Sequence, residues 1–302
     1  MTSAERPEPR WQPSGIGVGW RSNLVLAAVV TLGLIWLCWP IWHSMSSPIR
    51  EEAGQAAPLI LIAVVAMQVL LAVAVWLDAG RDFGPVTLAL TLLLLNTALR
   101  VTLNPGASGV EIVHALPLLA GMCAGAPAGF LVGAGGMLLS SALIDSVGDM
   151  LPAQLMILGL VGALGGVLWR IRPLAAWLLS LPLAVFAGVG SGMLLNLMGW
   201  SQEPGTTTTS FFPGVPPAAV VQRLWAYTVE TSLLVDLTRG VTTAVLLLLV
   251  GLPLLRASQA IGVRPVALPA AADRAVRLDP TAVSRRRDRD RLDTMWKTGD
   301  HS

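Results

Sequence analysis

From Asn23 to Leu255 the chain alternates long apolar runs with short polar breaks. A run of about 20 apolar residues crosses a bilayer core of roughly 30 Å. Reading for run length and interruption predicts helical spans near 23–42, 57–77, 84–100, 109–125, 127–144, 151–169, 174–200 and 219–255. The last window is too long for one perpendicular crossing, since its 37 residues at 1.5 Å each make about 55 Å. Pro217–Thr228 is therefore expected to start as an interfacial or loop-covering helix, with the crossing proper beginning near Thr231. The predicted fold class is all-α, a polytopic transmembrane helix bundle of about eight spans.

Composition agrees with this class. The 302 residues are 54% hydrophobic and 13% charged, where soluble domains carry about 25% charged residues, and the mean hydropathy is +0.68. No soluble domain fits between the spans. The net charge is +2, but ten of the twenty Lys and Arg lie at or beyond Arg256, so the basic excess belongs to the tail. Arg6, Arg10 and Arg21 precede the first span, Arg170 and Arg172 lie between the sixth and seventh, and Arg256 and Arg264 follow the eighth. With eight crossings these places share one side, and the positive-inside rule makes it the cytoplasmic side, so both termini are expected in the cytoplasm of a cell-membrane protein. The other side receives Glu51, Glu52, Asp145, Asp149 and Glu203, offset by Arg50 and Arg100. Trp39, Trp42 and Trp200 are placed as anchors at the outer boundary, Trp169 and Trp177 at the inner one.

The organisation that follows is a cytoplasmic segment 1–22, two helices in 23–83, a six-helix portion 84–256, and a charged tail 257–302 that has no apolar face and is expected to be disordered. The first apolar run has no small-residue cleavage site after it and is read as a retained span. Cys38 and Cys123 fall in separate apolar segments without CxxC spacing, the pattern of buried structural thiols.

Gly121–Gly136 reads GMCAGAPAGFLVGAGG. A phosphate-binding loop of the GxxxxGK[ST] kind needs a preceding strand and a terminal lysine. The chain's one lysine is Lys297, in the tail. Spacing by four instead places Gly121, Gly125, Gly129 and Gly133 on helix faces where backbones approach closely. Pro127, at a first-turn position, divides the run into a helical hairpin with a very short turn.

With that turn placed, the stretch from Arg100 to Gly166 resembles the substrate-binding (S) component of energy-coupling factor transporters, in the actinobacterial form with additional N-terminal spans. The matching parts are Arg100 closing a span, Gly109–Val110–Glu111–Ile112 as a GIEP-like element, the hairpin Ala120–Ala134, Ser141–Leu143, and the helix start Pro152–Gln154. A second block, Tyr227–Arg239, resembles the family's closing helix, with Ser232, Asp236 and Arg239 in register; Asn196 and Trp200 also fall at family positions. The sequence departs from the family at Gly148–Asp149–Met150, where Gly-Pro-Trp is common, and at Ala153, where an aromatic is usual. The family's Ala-xxx-Ala docking pattern has its nearest counterpart between Ala89 and Ala98, without the strict spacing.

The resemblance covers roughly 84–255. It implies a membrane subunit that captures a vitamin-class micronutrient, with a cobalamin-like cofactor as the candidate, from outside and delivers it by docking on a transmembrane coupling (T) subunit served by two ABC ATPase subunits. It implies no catalysis, no cofactor and no metal in this chain, and no nucleic-acid partner. The small residues Ala89, Ala98, Gly121, Gly125, Gly129 and Gly133 would serve helix packing and docking on the coupling subunit.

Ionisable groups within spans are costly to bury and mark functional sites by default. Asp236 and Arg239, three apart, share a helix face. About 16 residues before Leu255, Arg239 sits some 24 Å above the cytoplasmic end, and the pair either binds a ligand or locks the bundle. Near the same level the predicted spans collect Asn96, Arg100, Glu111, His114, Gln154, Asn196, Trp200, Tyr227 and Glu230. His114 is open to reading as an interface residue or a ligand contact, Asn96 as a structural amide or a contact, and Tyr227 as an anchor or part of a lid. The Thr-rich loop Ser201–Pro217 is either such a lid or a disordered connection. A membrane scaffold that binds partner helices and no solute is the alternative from another class. A membrane enzyme is disfavoured by the lack of HExxH or paired acidic motifs, and Arg50–Glu51–Glu52, which resembles the start of a membrane-protease motif, is placed in a loop.

Overall fold

The computed structural model describes residues 19–42, 49–81, 83–103, 113–200, 209, 211 and 215–260, and these contain helices and turns with no strand. The helices are α1 (Trp20–Leu37), α2 (Trp39–Trp42), α3 (Ile49–Asp78), α4 (Gly84–Thr102), α5 (Ala115–Ala124), α6 (Ala126–Leu143), α7 (Leu151–Gly165), α8 (Pro173–Trp200), α9 (Pro217–Thr231), α10 (Leu233–Leu246) and α11 (Leu252–Ala260). Among the described residues six helices are long and apolar enough to cross a membrane: Trp20–Leu37, Ala56–Asp78, Ala126–Leu143, Leu151–Leu168, Pro173–Trp200 and Leu233–Ser258. Val86–Thr102 and Ala115–Ala124 are shorter apolar helices. Leu59, Ile62, Leu234 and Leu249 point outward from the bundle, where hydrocarbon and not water is the favourable surrounding. The protein is an all-α, multi-pass membrane bundle.

Local sequence explains where the helices start and stop. α4, α6, α7 and α9 each carry proline in the first turn, where its fixed φ suits the helix and its missing N–H costs nothing. Gly125 joins α5 to α6 at φ +89, a conformation an L side chain rarely adopts. The long final window divides at Ser232, the residue between α9 and α10. α3 begins at Ile49, so Arg50–Glu52 are helical and not in a loop. The first apolar run ends as α1 at Leu37, with the short α2 after it. The tail beyond Ala260 and the segment before Gly19 lie outside the described residues.

The centre of the bundle is a seam of backbone on backbone. A Cβ on Gly121 or Gly129 would strike the Gly162 carbonyl, one on Gly133 would strike the Leu158 carbonyl, and one on Gly165 would strike the Leu118 carbonyl. α6 and α7 thus run antiparallel with Gly133 at the level of Leu158 and Gly129 at the level of Gly162. Close approach of this kind gives the dispersion contact that holds helices together in lipid. Above the seam Phe130, Met137, Leu155, Met156 and Ile157 fill the interior.

α1 and α3 are tied at their ends by Asp78, whose Oδ2 accepts the Gly19 amide at 3.1 Å and the Ser22 amide at 2.7 Å. The last crossing buries Asp236, Gly240, Thr243, Leu247, Gly251 and Leu255. Two consecutive steps of four after Leu247 would drift around a regular helix of 3.6 residues per turn. A π-helical turn at Leu247–Gly251 takes up the extra residue, and Trp177 Nε1 donates to the Leu247 carbonyl there at 2.8 Å.

Candidate functional site

α8 and α10 meet along small residues, which lets polar side chains be buried between them. Gly188 faces Gly240, and Gly192 faces the carboxylate of Asp236. One turn on, Asn196 Nδ2 donates to Ser232 Oγ at 2.6 Å and to Thr228 Oγ1 at 3.1 Å. Ser232 Oγ donates to Asp236 Oδ2 at 2.8 Å, and Arg239 Nη1 donates to Asp236 Oδ1 at 3.0 Å. The break in the helix at Ser232 puts its hydroxyl within reach of the first turn of α10, where a carboxylate is also favoured by the helix dipole. The side chains of Asp236 and Arg239 are 3% and 13% exposed, so the pair is removed from solvent. The result is a continuous relay from Asn196 to Arg239.

His114 is the residue that precedes α5. It is 2% exposed, and neither ring nitrogen has a hydrogen-bond partner among the described residues. It lies within electrostatic range of both Arg239 and Arg100. Arg100 comes from α4 and its Nη1 meets Met137 Sδ on α6. Asn96, one turn earlier and also buried, donates to the Val132 carbonyl at 3.5 Å and covers Gly136. Continuing the α6–α7 register by one turn brings Met137 to the level of Gln154, which is half-buried. Asn96, Arg100, His114, Gln154, Asn196, Asp236 and Arg239 therefore form a polar belt at one level of the bundle. The helices α4 to α8 and α10 hold three charged residues in all, Arg100, Asp236 and Arg239, and all three are in it.

Other expected residues fall elsewhere. Trp200 is not an interface anchor: it is buried, its Nε1 donates to the Thr209 carbonyl, and Phe211, Val220 and Leu224 pack around it. Tyr227 joins that cluster, its ring tilted against Trp200 at 6.2 Å between centroids, so α9 with Thr209 and Phe211 of the loop caps the end of α8. Glu230 is exposed on α9, away from the relay. Glu111 lies outside the described residues. Gly121, Gly125, Gly129 and Gly133 are all buried, and α7 packs within the chain against Gly121, Gly129 and Gly133, part of the face expected to dock on a coupling subunit. Ala89 is buried against Ala120, Ala124 and Ala128, and Ala98 alone of that small-residue set is exposed.

Sequence reasoning did not single out Thr228 or Gly192. The signal for Gly192 was the pattern Gly188-x-Gly190-x-Gly192, whose first and last members share the α10-facing side. Among the described residues no three His, Cys, Asp or Glu side chains come together as a metal site.

The fold and the belt define a class, a multi-pass all-α membrane protein with a buried polar centre. No family model, curated protein or solved structure matches the chain.

Proposed function

We propose that this chain is the substrate-capture (S) subunit of an energy-coupling factor importer in the cell membrane, with both termini cytoplasmic. It would take up a vitamin-class micronutrient and work with a transmembrane coupling subunit and two ABC ATPases. The observation that carries the reading is His114, a buried imidazole with no partner at either nitrogen, within electrostatic range of Arg100 and Arg239. Buried polar groups are almost always satisfied, and an orphan within electrostatic range of two guanidinium groups fits a place that a solute completes. The order of motifs from Arg100 to Arg239 supports the same assignment. Because the hairpin glycines are used inside the chain, docking falls to an outward face, of which exposed Ala98 on α4 is part.

Copurification of the tagged chain tests this. The coupling subunit, an ATPase pair and a bound small molecule are expected together by mass spectrometry. If neither the ATPases nor a small molecule copurifies, and Asp236→Asn with Arg239→Gln leaves uptake unchanged, the importer reading is overturned and a solute-free scaffold takes its place.

A further inference from the structure

We infer that the N-terminal end of α5, with His114, Arg100 and Arg239, is a binding site for the carboxylate or phosphate group of a small solute. This deepens the capture-subunit reading and rests on it for calling the bound anion the cargo.

α5 has ten residues, about 15 Å of helix, so it starts roughly halfway through the bundle from the Gly125 turn. A half-length helix that begins inside a membrane protein presents the positive end of its dipole to the interior, where anionic groups of transported solutes are held. His114 sits at that end, enclosed, and lacks a partner at both nitrogens. At least one of those nitrogens carries a proton that needs an acceptor. Arg100 from α4 and Arg239 from α10 reach the same imidazole electrostatically, and guanidinium groups match the oxygens of carboxylate and phosphate in geometry.

Among the described helices α4 to α8 and α10 little would hold a cation. Asp236, the sole carboxylate on α4 to α8 and α10, is already engaged by Ser232 and Arg239. An acidic oxygen at His114 satisfies the imidazole and is favoured by the charge of the two arginines.

The chain has three histidines, which makes the test direct. Full-length protein carrying ¹⁵N-histidine is purified in detergent and titrated with sodium phosphate, sodium acetate, short-chain phosphatidylglycerol and choline chloride at matched ionic strength, with His114→Gln used to assign the resonances. His114 is expected to shift saturably with phosphate or acetate and not with choline chloride, and Arg239→Gln or Arg100→Lys should weaken the response about tenfold or more. No saturable shift with either anion, or an equal shift with choline chloride, overturns the site. A response to short-chain phosphatidylglycerol alone assigns it to a lipid headgroup and overturns the solute. These titrations all use wild-type protein, so they decide the matter even if an arginine variant does not fold. An anion response without copurifying ATPases overturns the importer reading and leaves the site standing; copurification without an anion response does the reverse.

Discussion

The carboxylate of Asp236 lies in the space that a Cβ on Gly192 would fill. Nothing lies within 4 Å of a Cβ built on Gly190, two residues away on the same helix. Gly192→Ala must therefore push Asp236 off its relay, while Gly190→Ala adds a methyl to open space. The expected cost of Gly192→Ala is about 1–3 kcal/mol from overpacking, and Gly190→Ala should be near neutral. Thermal unfolding of the two variants in the same detergent separates them; equal midpoints would show that α8 and α10 do not meet this way.

Asp236 and Arg239 are both withdrawn from solvent, so each makes the other tolerable. Removing one partner of such a pair takes away compensation from the other buried charge and costs up to about 3–5 kcal/mol. Asp236→Asn is expected to destabilise strongly, and Asp236→Asn combined with Arg239→Gln to recover a substantial part of the loss. A double variant no better than the aspartate variant alone, read by chemical denaturation, would mean that Arg239 is compensated by another group.

Asp78 closes the first turn of α1 from the far end of α3 through the Gly19 and Ser22 amides. Asp78→Ala should cost about 1 kcal/mol, the usual value of a helix cap. The effect is local: hydrogen exchange should speed up at the start of α1 and stay unchanged in α6 and α7. Uniform acceleration would make Asp78 a global support of the bundle.

The residues show why part of this arrangement was legible in the sequence. Apolar run lengths announce an all-α bundle because the bilayer permits few other ways to satisfy the backbone. Pro127 and Gly125, two residues before it, mark the α5–α6 turn through local sterics, and the excess length of 219–255 signals the break found at Ser232. Spacing also places Asp236 and Arg239 on one face. Partners across the chain leave no such mark. Gly129 advertises a close approach but not that Gly162 supplies it, so an internal seam and an external docking face look alike in sequence. His114 and Trp200 were read by distance from a span end, which says nothing of the turn of α9 that covers Trp200 or of the enclosure of His114. The belt is assembled by register between helices, and register is a tertiary property.

The π-helical turn at Leu247–Gly251 makes the last crossing one residue longer than a regular helix with the same buried face. A deletion there is thus a correction of phase. Deleting Leu249 would let the turn relax to α-helix and leave Asp236, Thr243 and Leu255 facing the interior. Deleting Val241 instead would rotate everything beyond it by about 100° and expose the buried stripe. The first protein should be produced and unfold within a few degrees of the parent, while the second should fail to accumulate. Equal damage from both deletions would refute the phase argument.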